Sequence, residues 1–293
     1  MFTLAHLSDP HLAPLPTPTR RELAGKRVTG YFNWQRKRRF VHDPAVLWRL
    51  ISDVRTTAID HIAITGDFAN IALPEEFENL RKWLPGLGPR YDVTVIPGNH
   101  DVYVRGALEM MQEACSDSMR GDDDKATFPF VRLRGNVALI ALNTGVPTPP
   151  LIATGRVGEG QLTQLGALLG ALKAEGLFRV VLIHHPPESE APIHKRLSDA
   201  RALRAVIAEH GAELILHGHD HINQIHWLPG PSGRIPAIGV PSASAAFGRT
   251  RDAAGYNLYR IDGERGAWRC EMESRGIGSD GLIATTNRLI LMA

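Results

Sequence analysis

Short apolar runs punctuate the chain, and most of them stop at a cluster of polar residues. Phe2 to Leu7, Ile59 to Thr65 and Tyr91 to Ile96 are the first three, and Asn136 to Leu142, Arg179 to Ile183 and Glu213 to Leu216 follow. Each is too short for an ordinary helix and rich in branched or apolar residues, so each predicts a buried strand. Between them lie stretches with apolar residues at helical spacing. Val46, Leu47, Leu50, Ile51 and Val54 form such a stripe behind Asp43-Pro44, an N-cap with proline in the first turn. Pro74 to Trp83 reads as a helix, and Leu162, Leu165, Leu168, Leu169 and Leu172 mark another over Gln161 to Leu172. A further helix is expected from a Ser198 cap to His210, closed by Gly211. Beyond residue 222 the pattern shortens. Ile225 to Trp227, Ile235 to Val240, Tyr256 to Ile261 and Trp268 to Glu273 read as strands between Gly and Pro turns, and the stretch from Gly276 carries no clear pattern. Strands alternating with helices predict an α/β class, and no repeat or linker divides the 293 residues.

The polar clusters that end the strands carry the chemistry. They are Ser8-Asp9-Pro10-His11, Gly66-Asp67, Gly98-Asn99-His100-Asp101, His184-His185-Pro186 and Gly218-His219-Asp220-His221. In sheets wrapped by helices, ligands gather beyond the carboxyl ends of strands, so clusters scattered through the sequence converge at one edge. Asp9, His11, Asp67, Asn99, His184, His219 and His221 then offer two carboxylates, one amide and four imidazoles. Nitrogen and oxygen donors without thiolate suit manganese, iron or zinc. Seven donors are too many for one closed site and suit two divalent ions about 3.5–4 Å apart with a carboxylate between them. Such a pair retains positive charge beyond what two carboxylates and a bridging hydroxide remove, so it attracts an anion such as phosphate. It also makes a hydroxide nucleophile at neutral pH.

Composition adds bounds rather than function. Hydrophobic residues are 43% and charged residues 22%, ordinary for a globular protein with a sizeable core. The net charge is +2, which makes no electrostatic case for nucleic acid. The charge is uneven: Arg20 to Arg39 holds eight basic residues against Glu22 alone, and it also holds Tyr31, Phe32 and Trp34. Two readings of this basic-aromatic stretch stay open. It is a solvated face, or it is an insertion or lid at residues 20–40 that attracts an anionic substrate or makes peripheral contact with an anionic membrane surface. Cys115 and Cys270 match no metal or redox spacing and are expected as free thiols. The N-terminus reads as a strand rather than a signal peptide, and a cytoplasmic location is expected.

Taken together, Asp9-x-His11, Gly66-Asp67, Gly98-Asn99-His100-Asp101, His184-His185-Pro186 and Gly218-His219-x-His221 resemble the five signature blocks of the calcineurin-like metallophosphoesterase family, in the family's order. The resemblance implies a single-domain, four-layer α/β/β/α sandwich, with residues 222–293 completing the second sheet. It implies that Asp67 bridges two ions, with Asp9, His11 and His221 on one and Asn99, His184 and His219 on the other. It gives His100 the task of steadying a phosphoryl oxygen or protonating the leaving group, oriented by Asp101. His185 falls outside the ligand set, as do His6, His42, His61, His194, His210 and His226, which are expected to be mostly surface residues. Pro10 and Asn70 depart mildly from the family's commonest residues. The compact length most resembles bacterial class III cyclic-nucleotide and glycerophosphodiester phosphodiesterases. The expected activity is therefore hydrolysis of a small phosphodiester by a metal-bound hydroxide. The alternatives are a UDP-diacylglucosamine-type pyrophosphate hydrolase at a membrane surface and a non-catalytic scaffold of the same fold. Oligomeric state is left open.

Overall fold

A computed structural model describes all 293 residues. The chain begins with strand β1 (Phe2–Leu7), followed by helices α1 (Lys26–Arg36) and α2 (Pro44–Thr56) and strand β2 (His61–Ile64). Helix α3 (Pro74–Trp83), strand β3 (Val93–Val95) and the short helix α4 (Ala107–Ala114) complete the first half. The second half runs β4 (Phe130–Arg134), β5 (Val137–Ala141), α5 (Glu159–Ala174), β6 (Phe178–Leu182), α6 (Ala200–His210) and β7 (Leu214–His217). It ends with β8 (Gln224–Gly230), β9 (Gly233–Gly239), β10 (Gly255–Asp262), β11 (Arg269–Ile277) and β12 (Ile283–Met292).

Two six-stranded sheets result, in the orders β12-β11-β10-β1-β2-β3 and β4-β5-β6-β7-β9-β8. The period-2 pattern of β5 shows why they stack. Val137, Leu139 and Ala141 join the larger apolar core together with Leu4, Ile62, Ile64 and Val95 of the first sheet. Ala138 and Ile140 join a second core with Leu165, Leu169, Leu203 and Ile207 of α5 and α6. Both faces of the strand are buried, which is why its sequence is a continuous apolar run rather than an alternation. Helix α2 covers the outer face of the first sheet with Val46, Leu47, Leu50, Ile51 and Val54, and Asp43 caps it by accepting from the Ala45 amide at 2.8 Å. The layers are therefore α/β/β/α.

Within the sheets, β1, β2 and β3 are parallel, as are β5, β6, β7 and β9. Their carboxyl ends leave the sheets on one side, and every polar cluster named above hangs from one of them. The strands beyond residue 222 are divided between the sheets, against the expectation that they complete one. β8 and β9 extend the second sheet, while β10, β11 and β12 extend the first through the antiparallel pair β1–β10. Four elements lie outside what the sequence pattern predicts, among them the eight-residue α4. β4 and β12 are edge strands, β12 being almost wholly exposed, and an edge strand lacks the two-faced burial that produces an apolar run. α1 has no buried residue and so no stripe. Ser198 does not cap α6; its hydroxyl donates to the Gly155 carbonyl, and α6 starts at Ala200. Cys115 and Cys270 are both buried and free. No helix is long and apolar enough to cross a membrane.

The loop after β2 is fastened by a carboxylate from the helix it leads to. Glu76, buried in the first turn of α3, accepts from the amides of Asn70, Ile71 and Leu73 at 2.5, 3.2 and 2.9 Å. Burial lifts its carboxyl above the usual range, against the pull of those amides. Replacing it strands three buried N–H groups. Glu76→Ala is expected to lower stability by about 2–4 kcal/mol, read as a lower urea midpoint with unchanged slope. An unshifted midpoint would deny the carboxylate this role.

Candidate metal centre

Backbone geometry marks the site before any side chain is considered. Asp9, His11, Asp67, His219 and His221 all have positive φ, between 37° and 69°. Non-glycine residues adopt this conformation rarely, at about 1–3 kcal/mol each, and they cluster at functional sites. Neighbouring glycines permit the close approach of the loops. A Cβ on Gly98 would strike the Asp67 amide nitrogen at 2.5 Å, and one on Gly218 would strike Asp9 Oδ2 at 2.5 Å. The first and second loops are also laced together, Asp9 N donating to Gly66 O at 2.9 Å and His11 N to Asp67 O at 3.0 Å.

Each carboxylate has one oxygen anchored by a backbone amide and one left for the site. His100 N donates to Asp67 Oδ1 at 2.7 Å, and His219 N donates to Asp9 Oδ2 at 3.1 Å. Asp67 Oδ2 then stands 3.8 Å from His11 Nε2 and 3.5 Å from His184 Nε2. It is the meeting point of two sets. The ligand atoms of Asp9, His11, Asp67 and His221 all lie within 4.8 Å of one another, and His221 Nε2 is 3.0 Å from Asp9 Oδ1. On the other side, Asn99 Oδ1 is 3.2 Å from His184 Nε2 and 2.8 Å from His219 Nδ1.

Backbone carbonyls select the tautomers. His11 Nδ1 bonds Ala69 O at 3.1 Å, His184 Nδ1 bonds Thr65 O at 2.6 Å and His219 Nε2 bonds Lys195 O at 2.8 Å. In His11 and His219 the carbonyl takes the N–H and turns the other ring nitrogen inward as a lone pair, the arrangement that divalent-metal sites use to orient imidazole, and His184 turns Nε2 toward Asp67 and Asn99. His185 has no nitrogen to spare, since Nδ1 meets Thr144 Oγ1 at 2.7 Å and Nε2 meets Ala153 O at 3.1 Å. Charge shows the same demand. Burial would lift Asp67, but the imidazoles around it, His184 foremost, hold its carboxyl well below the usual range. Burial would likewise lower His184, but Asp67 raises it to about 10, so the site recruits a proton to that ring. Two carboxylates, one amide and four inward imidazoles, drawing positive charge to their centre, are a donor set that fits two divalent cations.

Two expectations need correction. Asp101 does not touch the His100 ring. Its carboxylate accepts from the amides of Asp67, Phe68, Ala69 and Gly98 at 2.7, 2.9, 2.8 and 2.9 Å, so it pins the Asp67 loop against the Asn99 loop. The His100 ring is oriented instead by the Asn70 carbonyl, which accepts from Nδ1 at 2.6 Å, and it stacks on Tyr103. His6, His42 and His61 are buried rather than on the surface. His42 reaches the centre itself: its ring lies 4.3 Å from His11 and 6.1 Å from His221, centroid to centroid, and its Nδ1 is 2.9 Å from Ser244 Oγ. No strand precedes His42, so the rule that locates the other clusters passes it over.

A cavity of about 1270 Å³ opens above the two sets, with Asp67, Asn99, His100, His219 and His221 in its floor. The basic-aromatic stretch forms one wall as α1 and the turn after it, not a loose loop. Lys26 Nζ donates to Thr148 Oγ1 at 2.7 Å and lies 4.1 Å above the Tyr103 ring, and Arg27 donates to the carbonyls of Ile71 and Ala72. Val28, Phe32 and Leu151 line the mouth beside Lys26, Arg36 and Lys37.

Residues 2–223 match the calcineurin-like phosphoesterase family. A 3',5'-cyclic-nucleotide phosphodiesterase of Nostoc sp. is 27% identical over 225 residues, covering 73% of this chain and 76% of the relative. A dimetal phosphatase of Danio rerio superposes with a TM-score of 0.64 at 14% identity, covering 99% of this chain and 98% of that one. A purple acid phosphatase of yellow lupin does so with 0.59 at 12% identity, over 97% of this chain and 52% of its own.

Asp101→Ala leaves four buried amides unpaired and is expected to cost about 3–5 kcal/mol. It should also reduce bound manganese, because the Asp67 loop loses its anchor. A variant with the wild-type urea midpoint and full manganese content would show that the carboxylate pins nothing.

Proposed function

We propose that this chain, which belongs to the calcineurin-like phosphoesterase family and is a metal-dependent phosphohydrolase, cleaves a small phosphodiester. The observation that carries the reading is the pair of ligand sets meeting at Asp67 Oδ2 beneath an open cavity. The similarity to a relative named as a cyclic-nucleotide phosphodiesterase supports the diester. Two divalent ions held there would supply a nucleophile from water at neutral pH and offset the charge on the phosphoryl oxygens.

The chain's own residues do the positioning. Asp9, His11, Asp67 and His221 would hold one ion and Asp67, Asn99, His184 and His219 the other, each side chain fixed by the amide or carbonyl behind it. His100 keeps Nδ1–H on the Asn70 carbonyl, so Nε2 alone faces the cavity. In this reading the ring takes up a second proton as the anionic ester binds, and the resulting Nε2–H bonds a phosphoryl oxygen or passes to the departing oxygen, while the Tyr103 ring and the Asn70 carbonyl hold the imidazole plane still.

One observation favours a second reading. The cavity mouth pairs exposed Val28, Phe32 and Leu151 with Lys26, Arg36 and Lys37, a surface that suits an amphiphilic anion such as the pyrophosphate of a nucleotide-linked lipid. Turnover on cyclic AMP, bis(p-nitrophenyl) phosphate and UDP-diacylglucosamine, in the presence of manganese, separates the two. Preference for either diester supports the first reading, and strong preference for the sugar lipid replaces it with the second.

His100 is nobody's metal ligand in this arrangement. His100→Ala is expected to keep two manganese ions per chain while turnover of the preferred ester falls by about 10²–10⁴-fold. Wild-type turnover with intact metal content would remove His100 from the reaction.

A further inference from the structure

The strongest unassigned feature is a guanidinium inside the centre. Arg38 sits on a single helical turn, Arg38–Phe40, between α1 and α2. Its Nη2 lies 2.8 Å from His11 Nε2 and 3.4 Å from His42 Nε2, and its Nη1 lies against the His100 ring. Its hydrogen-bond partners are all imidazoles, and the carboxylates of Asp67 and Asp9 act on it through their charge alone.

Every other arginine that is not exposed has an oxygen partner. Arg179 has Glu213, Arg275 has Asp53 and Arg260 has Glu273. Arg27, Arg132 and Arg204 bond backbone carbonyls. Arg120 and Arg134 do so as well. Arg38 alone bonds no oxygen, and its buried Nε has no partner at all. A guanidinium carries five N–H donors in a planar fork that matches phosphate, and none of the donors of Arg38 is taken by an oxygen. It stands beside His100 in the wall of the cavity, with Nη2 on the same His11 nitrogen that would face a cation.

We propose that Arg38 is a substrate-contacting residue that grips the non-bridging oxygens of the phosphoryl group, delivered to the centre by the basic-aromatic segment. Two opposite consequences follow from its charge. It repels cations entering the ligand sets, since like charges a few ångströms apart in a sheltered site oppose each other strongly. Once cations are bound, it attracts the anion. A guanidinium that merely braced the fold would have neither effect: its loss would loosen both metal and anion binding or neither.

The test uses the full chain as Arg38→Met, with Arg38→Gln as a second neutral variant in case the first folds poorly. Manganese titration of the metal-stripped protein is expected to show binding at least about threefold tighter in the variants, because a competing charge has gone. Titration of inorganic phosphate into the manganese-loaded protein is expected to show at least about tenfold weaker binding. Unchanged or weaker manganese binding, or unchanged phosphate binding, overturns the proposal. The phosphate half rests on the phosphoesterase reading, whereas the manganese half needs no ester. A wild-type protein that turned over no phosphodiester would sink the proposed substrate and leave the manganese comparison standing.

Discussion

Two carboxylates in a sheltered pocket, each with one oxygen tethered and one free, are what the rest of this molecule is built to hold. Asp9 and Asp67 are essentially without solvent contact, and neither is paired with a lysine or an arginine. Burying an ionised carboxylate is costly unless charge of the opposite sign is supplied. The fold supplies some of it as amides to Asp67 Oδ1 and Asp9 Oδ2, some as the charge of Arg38 and some through His184, whose pKa Asp67 raises to about 10. What remains uncompensated faces the cavity, and the inward lone pairs of His11 and His219 are aimed at the same place. This is a centre whose electrostatics are completed by cations, and the strained backbone at five of its ligands is the geometric expression of that requirement.

Such strain persists only where the surroundings over-determine it. Here two further buried acids do so without taking part in the chemistry. Asp101 gathers the amides of Asp67, Phe68, Ala69 and Gly98, and Glu76 gathers those of Asn70, Ile71 and Leu73. From Asp67 to Leu73 every backbone donor except that of Ala72 is therefore taken by a side chain rather than by a ladder, which lets the segment leave the sheet and turn. Asn70 uses its own carbonyl to aim His100.

The parts of this arrangement that could be read from sequence are those that follow a periodic rule. Buried parallel strands write apolar runs, and the residue after a run lies at a carboxyl end, so Asp9, Asp67, Asn99, His184 and His219 announce themselves. What could not be read depends on a partner far away in the chain. Asp101 looks like a mate for the neighbouring His100, and only the fold shows that four amides from two other loops claim it first. His42 and Arg38 sit in a polar stretch with no stripe, and they enter the centre because Asp43 N bonds Ser244 O and His42 Nδ1 meets Ser244 Oγ. Those contacts, about 200 residues apart, leave no local mark. The edge strands β4 and β12 failed to register for a related reason, being covered on fewer sides.

The placement of the basic segment looks at first like a contradiction, because a positive rim should hinder the uptake of metal ions. Range resolves it. Exposed charges such as Arg36, Lys37 and Arg39 act through solvent and fade over about 8–10 Å at ordinary salt. The carboxylates, amide and imidazoles act at bonding distance inside a water-poor pocket, where each interaction is far stronger. Cations are thus admitted by the floor in spite of the rim, and the loaded floor and the rim then share a sign. Both would attract an anion, and Arg38 stands between them in the cavity wall. Metal first and phosphate ester second is the order of assembly that this distribution of charge favours, and a rim of the opposite sign would favour the metals while repelling the substrate.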